Sequence, residues 1–92
     1  MKLVWSRLAL RDVQRRVIYI RQFNELAAQR EGESLFLIGE KLKVAPNIGR
    51  HGRREGTMEY VGLEPYVVVY RVTDSTVRII RVWHGAQLKE RY

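Results

Sequence analysis

The hydrophobic period changes once along this chain, and the change limits what it can fold into. Between Arg7 and Pro46 apolar residues recur at spacings of three and four, the signature of a helix face. From Thr57 onward they come instead in β-branched and aromatic runs, the composition of strands. The first segment is preceded by KLVW, Lys2 to Trp5, a short apolar run that reads as a strand. Ser6 then stands where an N-cap belongs, since its hydroxyl can satisfy one of the orphan amides at a helix start.

Leu10, Val13, Val17, Ile20, Phe23 and Ala27, with Leu26 beside them, predict one helix from Arg7 to about Arg30. Arg11, Arg15, Gln22 and Gln29 occupy its opposite face, and Glu31-Gly32 is expected to end it. A second helix is expected from about Glu33 to Val44, with Leu35, Ile38 and Leu42 inward and Glu40, Lys41 and Lys43 outward; Pro46 stops it. Thr57–Val61, Tyr66–Val72 and Thr76–Trp83 read as strands. Gly62 and Pro65 punctuate the first turn and Asp74-Ser75 the second. The expectation is a single α+β domain over residues 1–92, ordered β-α-α-β-β-β. Its helix hairpin covers one face of a small antiparallel sheet.

That sheet raises a difficulty. In YVVVYRV one face carries Tyr66, Val68, Tyr70 and Val72, and the other carries Val67, Val69 and Arg71. In TVRIIRVWH strict alternation puts Val77, Ile79, Arg81 and Trp83 on one face, and Arg78, Ile80, Val82 and His84 on the other. Both faces are partly apolar, yet one hairpin covers only one. Either long arginine stems shield the second face, or a partner docks on Val67, Val69, Ile80 and Val82.

Composition narrows the partner. The 92 residues carry 13 arginines and 4 lysines, for a net charge of +7. Arginine's planar fork suits phosphate and carboxylate, so an anionic partner is expected, whether nucleic acid or an acidic protein segment. The absence of cysteine excludes disulfides and thiolate metal sites and fits a cytoplasmic protein. No apolar run approaches the ~18 residues of a membrane span, and MKLVWSRLALR turns basic too early for a signal peptide. His51 and His84 lack metal-ligand spacing, and GRHG follows a helix rather than a strand, so neither a metal nor a cofactor is expected.

What remains is a group of arginines around one histidine. Arg71 and Arg81 lie inside strands, where a charge is costly unless paired or functional. Arginines of this kind could stabilise charge on a phosphate while His84 moves a proton, or could grip an acidic segment. GRHGRREGTMEY, residues 49 to 60, reads as a phosphate-gripping loop or as a solvated turn.

Pro46, Gly49-Arg50, Gly52-Arg53, Gly56-Thr57 with Glu59, Pro65-Tyr66, Val69-Tyr70-Arg71-Val72 and the run from Arg81 to Gln87 form an ordered series. That series resembles the ParE/RelE superfamily of bacterial toxins from type II toxin–antitoxin modules, and the element order matches along the whole chain. The resemblance implies a cognate acidic antitoxin, disordered until bound, that covers the second sheet face at Val67, Val69, Arg71, Ile80 and Val82. It also implies a target. ParE-like members act on DNA gyrase with no known hydrolytic site, whereas RelE-like members cut messenger RNA on the ribosome. The pattern from Gly49 to Gln87 is nearer the ParE side, because Val67, Val68 and Val69 precede Tyr70 where the cutting members carry a basic residue. On that reading Arg50, Arg53, Arg54, Arg81 and His84 face the target. On the ribonuclease reading Arg53, Arg71, Arg81 and His84 form the catalytic set. Met58 departs from the ParE pattern, in which an arginine often follows the Gly-Thr pair.

Overall fold

Two helices lie against one face of a five-stranded sheet in a computed structural model that describes residues 1–85. Ala86 and Gln87, the end of the sequence series above, lie outside the described residues. The elements are β1 (Lys2–Trp5), α1 (Arg7–Arg21), α2 (Glu25–Val44), β2 (Arg50–His51), β3 (Met58–Tyr60), β4 (Tyr66–Thr73) and β5 (Thr76–His84). The α+β class and the helix hairpin are those expected. The sheet runs β1-β5-β4-β3-β2; its β1–β5 pair is parallel and the others antiparallel, so the sheet is mixed rather than wholly antiparallel.

The helix break differs from the sequence reading. α1 stops at Arg21, and Asn24 caps α2 by accepting the Ala27 N–H at 2.9 Å. An asparagine side chain thereby replaces the amide partners a new helix lacks, which mere continuation of the hydrophobic stripe could not reveal. Phe23 and Leu26, expected in the core, are exposed as a result. Gly32 is not a helix end but sits mid-α2, where a Cβ would come within 3.1 Å of the Val17 methyl across the hairpin. The glycine permits close packing there.

The core between helices and sheet contains Ala9, Val13, Leu35, Ile38, Leu42, Tyr66, Val68, Tyr70, Val77, Ile79 and Val82. Val82 is a correction: alternation put it on the outer face, but it is 5% exposed on the helix side. The cause is a β-bulge. Val69 faces Arg81 but Tyr70 faces Ile79, leaving Ile80 as an extra residue, after which every β5 side chain changes face. Trp83 accordingly joins Val67 and Val69 in a second cluster on the outer face, with Ile80 packed against it.

Helix α1 secures that bulge. Ser6 Oγ accepts the Ala9 N–H at 3.0 Å, as an N-cap should, and donates to the Ile80 carbonyl at 2.7 Å. Asp12 Oδ2 accepts the Val82 N–H at 2.9 Å. Backbone groups at the irregularity are thus satisfied by one side chain of α1 and one from its N-cap.

Candidate functional site

The Gly49–Tyr60 stretch folds as a closed edge rather than an open cradle. The Tyr70 hydroxyl accepts the Gly49 N–H at 3.0 Å and donates to the Pro46 carbonyl at 2.7 Å, and burial raises its pKa. The following turn is tied shut: Gly52 N–H donates to the Thr57 carbonyl at 2.8 Å, and Thr57 Oγ1 donates to the Arg54 carbonyl at 2.6 Å. Gly56 adopts φ = 81°, the left-handed region that glycine enters without steric cost. The backbone amides at both ends therefore have partners, and Arg53 and Arg54 project outward as exposed residues. Arg50 lies opposite Glu59 on β3, whose carboxylate it meets at 3.0 Å; Glu59 is 3% exposed.

Beyond this edge, a groove on the outer sheet face has a floor of Val69, Ile80 and Trp83. Leu8, Thr57, Arg54, Arg71 and Arg81 form its walls. The Arg81 guanidinium covers the Trp83 ring at 4.3 Å, so arginine does shield part of the second apolar face. Arg81 is also held by Asp12 through two parallel hydrogen bonds of 2.8 and 2.9 Å. The hydrogen bonds to Asp12 raise its pKa further. Asp12 was absent from the sequence reading. Its signal is that it is the one acidic residue in RLALRDVQRRVIYIR, a helix otherwise dominated by arginine.

His84 opens to a different place. It lines a cleft between α1 and the end of β5, with Asp12, Arg15, Arg16, Tyr19, Tyr66, Arg81, Val82 and Trp83. Its ring stands edge-on to Tyr66 at 6.1 Å. The Tyr66 hydroxyl accepts Arg16 Nε–H at 3.0 Å; its pKa is pushed up to about 12, first by burial and then by the neighbouring Glu31 carboxylate. Arg71 and Arg54 belong to the outer groove, His84 belongs to the α1 cleft, and Arg81 and Trp83 border both. Arg53 lines neither. Among the described residues there is no cluster of three or more His, Cys, Asp or Glu side chains able to hold a metal ion.

This arrangement can offer guanidinium groups over an apolar floor, the surface an anionic, partly apolar segment would fit. The family model described as ParE toxin of type II toxin-antitoxin system, parDE, matches residues 3–89. The chain belongs to the ParE toxin family. Toxin RelE2 of Caulobacter vibrioides is 38% identical over 95% of this chain and 98% of its own length. Toxin RelE1 of the same organism is 33% identical over 86% of this chain and 87% of its own. The solved structure of the chromosomal ParDE TA system from P. aeruginosa superposes with a TM-score of 0.69 at 21% identity. It covers 91% of this chain and 95% of the other. That likeness concerns the fold, including the helix pair on the sheet. As a toxin of a type II module, the protein has an antitoxin as partner. Among the described residues no helix is long and apolar enough to cross a membrane.

Proposed function

We propose that this ParE-family toxin acts by binding, as an inhibitor of DNA gyrase in the cytoplasm, without chemistry of its own. The observation that carries this reading is the state of Arg81. Its fork is committed to Asp12 in a two-bond ion pair, so it is not a free phosphate ligand. Arg71 and His84 line different clefts, which separates the proton-transferring histidine from part of the guanidinium set that the ribonuclease reading assigns to it. The exposed Arg53 and Arg54 and the rim residues Arg50 and His84 then serve as contacts to the target protein. An acidic antitoxin segment would lie in the outer groove over Val67, Val69 and Ile80, with Arg71 and Arg54 meeting its carboxylates.

The second reading, a ribosome-dependent endoribonuclease, is favoured by one observation: the two Caulobacter relatives carry the name RelE. His84→Ala separates the two. For a binder, inhibition of purified gyrase stays within a few-fold of wild type, since a single contact from this half-buried side chain contributes ~1 kcal/mol. For a ribonuclease that uses His84 as acid or base, transcript cleavage in a ribosome-containing extract falls ~10²–10⁴-fold. Loss of cleavage with supercoiling untouched would replace the first reading by the second.

A further inference from the structure

The α1 side of the cleft between α1 and the end of β5, formed by Arg15, Arg16 and Tyr19, has a use that neither reading assigns. The cleft's volume is about 200 Å³, room for a small anionic group but not for a helix or a duplex groove. Arg15 and Arg16 line it from α1. Arg16 is oriented by neutral aromatic groups: its Nε–H donates to the Tyr66 hydroxyl at 3.0 Å, and its guanidinium carbon stands 5.1 Å from the Tyr19 ring centre. The charges balance in an informative way. Asp12 and Arg81 cancel each other, and Glu31 of α2, beside the Tyr66 hydroxyl, offsets one of the two remaining arginines. Among Asp12, Glu31, Arg15, Arg16 and Arg81 one net positive charge is left, the complement of a phosphodiester.

Aromatic rings extend from the rim of this cleft. Tyr19 is 51% exposed, and it packs edge-to-face at 5.5 Å against Phe23, which is 75% exposed. Large exposed rings beside an arginine-lined cleft form the surface on which unpaired bases stack while the backbone is held electrostatically. We propose that this cleft is a phosphate site for single-stranded nucleic acid, with Arg15 and Arg16 holding one backbone phosphate and Tyr19 and Phe23 stacking the adjoining bases. An acidic peptide could also use the arginines, but two adjoining exposed rings beside a one-charge cleft suit stacked bases flanking a phosphate.

The test is binding of fluorescein-labelled dT12 and U12 to the purified full-length chain, followed by anisotropy across a salt series, with inorganic phosphate as competitor. The double variant Arg15→Gln/Arg16→Gln should lower affinity at least ~10-fold and reduce the salt slope by about 1. Tyr19→Ala should lower affinity ~10-fold while leaving the slope unchanged, because stacking releases no counterions. Arg78→Gln removes an exposed strand charge that lines neither cleft, and it should change affinity less than threefold. Circular dichroism checks that each variant is folded. Three results would overturn the proposal: Arg78→Gln as damaging as the double variant, Tyr19→Ala without effect, or a 12-base-pair duplex bound as tightly as the single strands. Phosphate competing at micromolar concentration as well as an oligonucleotide would also overturn it, by assigning the cleft to the free ion. Loss of binding to an acidic antitoxin peptide, with oligonucleotide affinity unchanged, would assign it to a protein instead. None of these measurements depends on toxicity, so they stand apart from the choice between gyrase and ribosome.

Discussion

Asp12 holds together features that a list of arginines would treat separately. Its carboxylate accepts two bonds from Arg81 and one from the Val82 N–H, joining α1 to the strand at the bulge. Asp12→Asn keeps the shape, removes the charge and leaves the Arg81 guanidinium without its counter-ion. A loss of about 2 kcal/mol in urea unfolding is expected, the worth of hydrogen bonds to charged groups in a partly buried pair. Reversal by Arg81→Met in the same background would show that the stranded charge, rather than lost packing, is responsible. Tyr66 makes a second prediction. Its folded pKa stands at about 12 against an ordinary 10.0, so between those values the unfolded chain gives up a proton that the native chain keeps. Stability is therefore fully present below pH 10 and falls as pH rises toward 12, with a slope of at most ~1.4 kcal/mol per pH unit. Urea melts at pH 9 and 11 should diverge less for Tyr66→Phe than for wild type; equal divergence would rule Tyr66 out as the source.

The helix hairpin depends on close approach at Gly32. A methyl group added there would lie 3.1 Å from Val17 Cγ2, yet glycine within a helix costs roughly 1 kcal/mol relative to alanine. The two effects oppose each other, and Val17 decides between them. In a Val17→Ala background the obstruction is gone, so Gly32→Ala should raise stability by about 0.5–1 kcal/mol. In the wild-type background it should gain less or lose. A thermodynamic cycle over the four proteins measures the coupling, and additive effects would mean that the hairpin relaxes freely at this point.

The molecule as a whole carries apolar residues on both faces of its sheet and exposed apolar side chains on its hairpin. On the sheet's outer face the cluster of Val67, Val69 and Trp83 is itself buried and half-buried Ile80 packs against it, while Phe23, Leu26, Phe36 and Leu37 are exposed on the hairpin. With a net charge of +7, the chain suits an acidic partner that arrives quickly and covers apolar area once docked. Saturating antitoxin should stabilise the toxin by roughly 4 kcal/mol at a thousandfold excess over Kd. Thermal melts with and without the partner measure this, and coincident curves would contradict it. Association should slow severalfold between 50 and 300 mM salt, with dissociation changing less; a rate independent of salt would rule out steering by the arginines. Val69 is only 4% exposed, so a charge introduced there would damage the fold as well as the interface, whereas half-buried Ile80 is the cleaner probe. Ile80→Asp should weaken antitoxin binding at least ~10-fold, from burying an unpaired carboxylate.

Several features of this fold were legible in the chain because they follow from local chemistry. Ser6 caps a helix wherever a hydroxyl precedes an amphipathic run, Pro46 follows a helix end, and Tyr66 to Val72 alternates because consecutive side chains in a strand point opposite ways. The arginine excess led to the expectation of an anionic partner without saying which arginines would be spoken for. Other features depended on contacts between segments far apart. Gly32 reads as a terminator until Val17 lies across from it; Leu10 and Phe23 read as core, but Leu10 lies beside the buried positions Ala9 and Val13 and Phe23 lies past the helix end at Arg21, so both are exposed. The bulge at Ile80 reverses the face of Val82 and Trp83, and no periodicity marks it, because the residues that satisfy it, Ser6 and Asp12, lie about 70 positions earlier. A strand's period is written in its own side chains, but a bulge is stabilised by whatever packs beside it. The separation of His84 from Arg71, and the capture of Arg81 by Asp12, have the same origin: a charged side chain's role is set by the group that the fold brings to it.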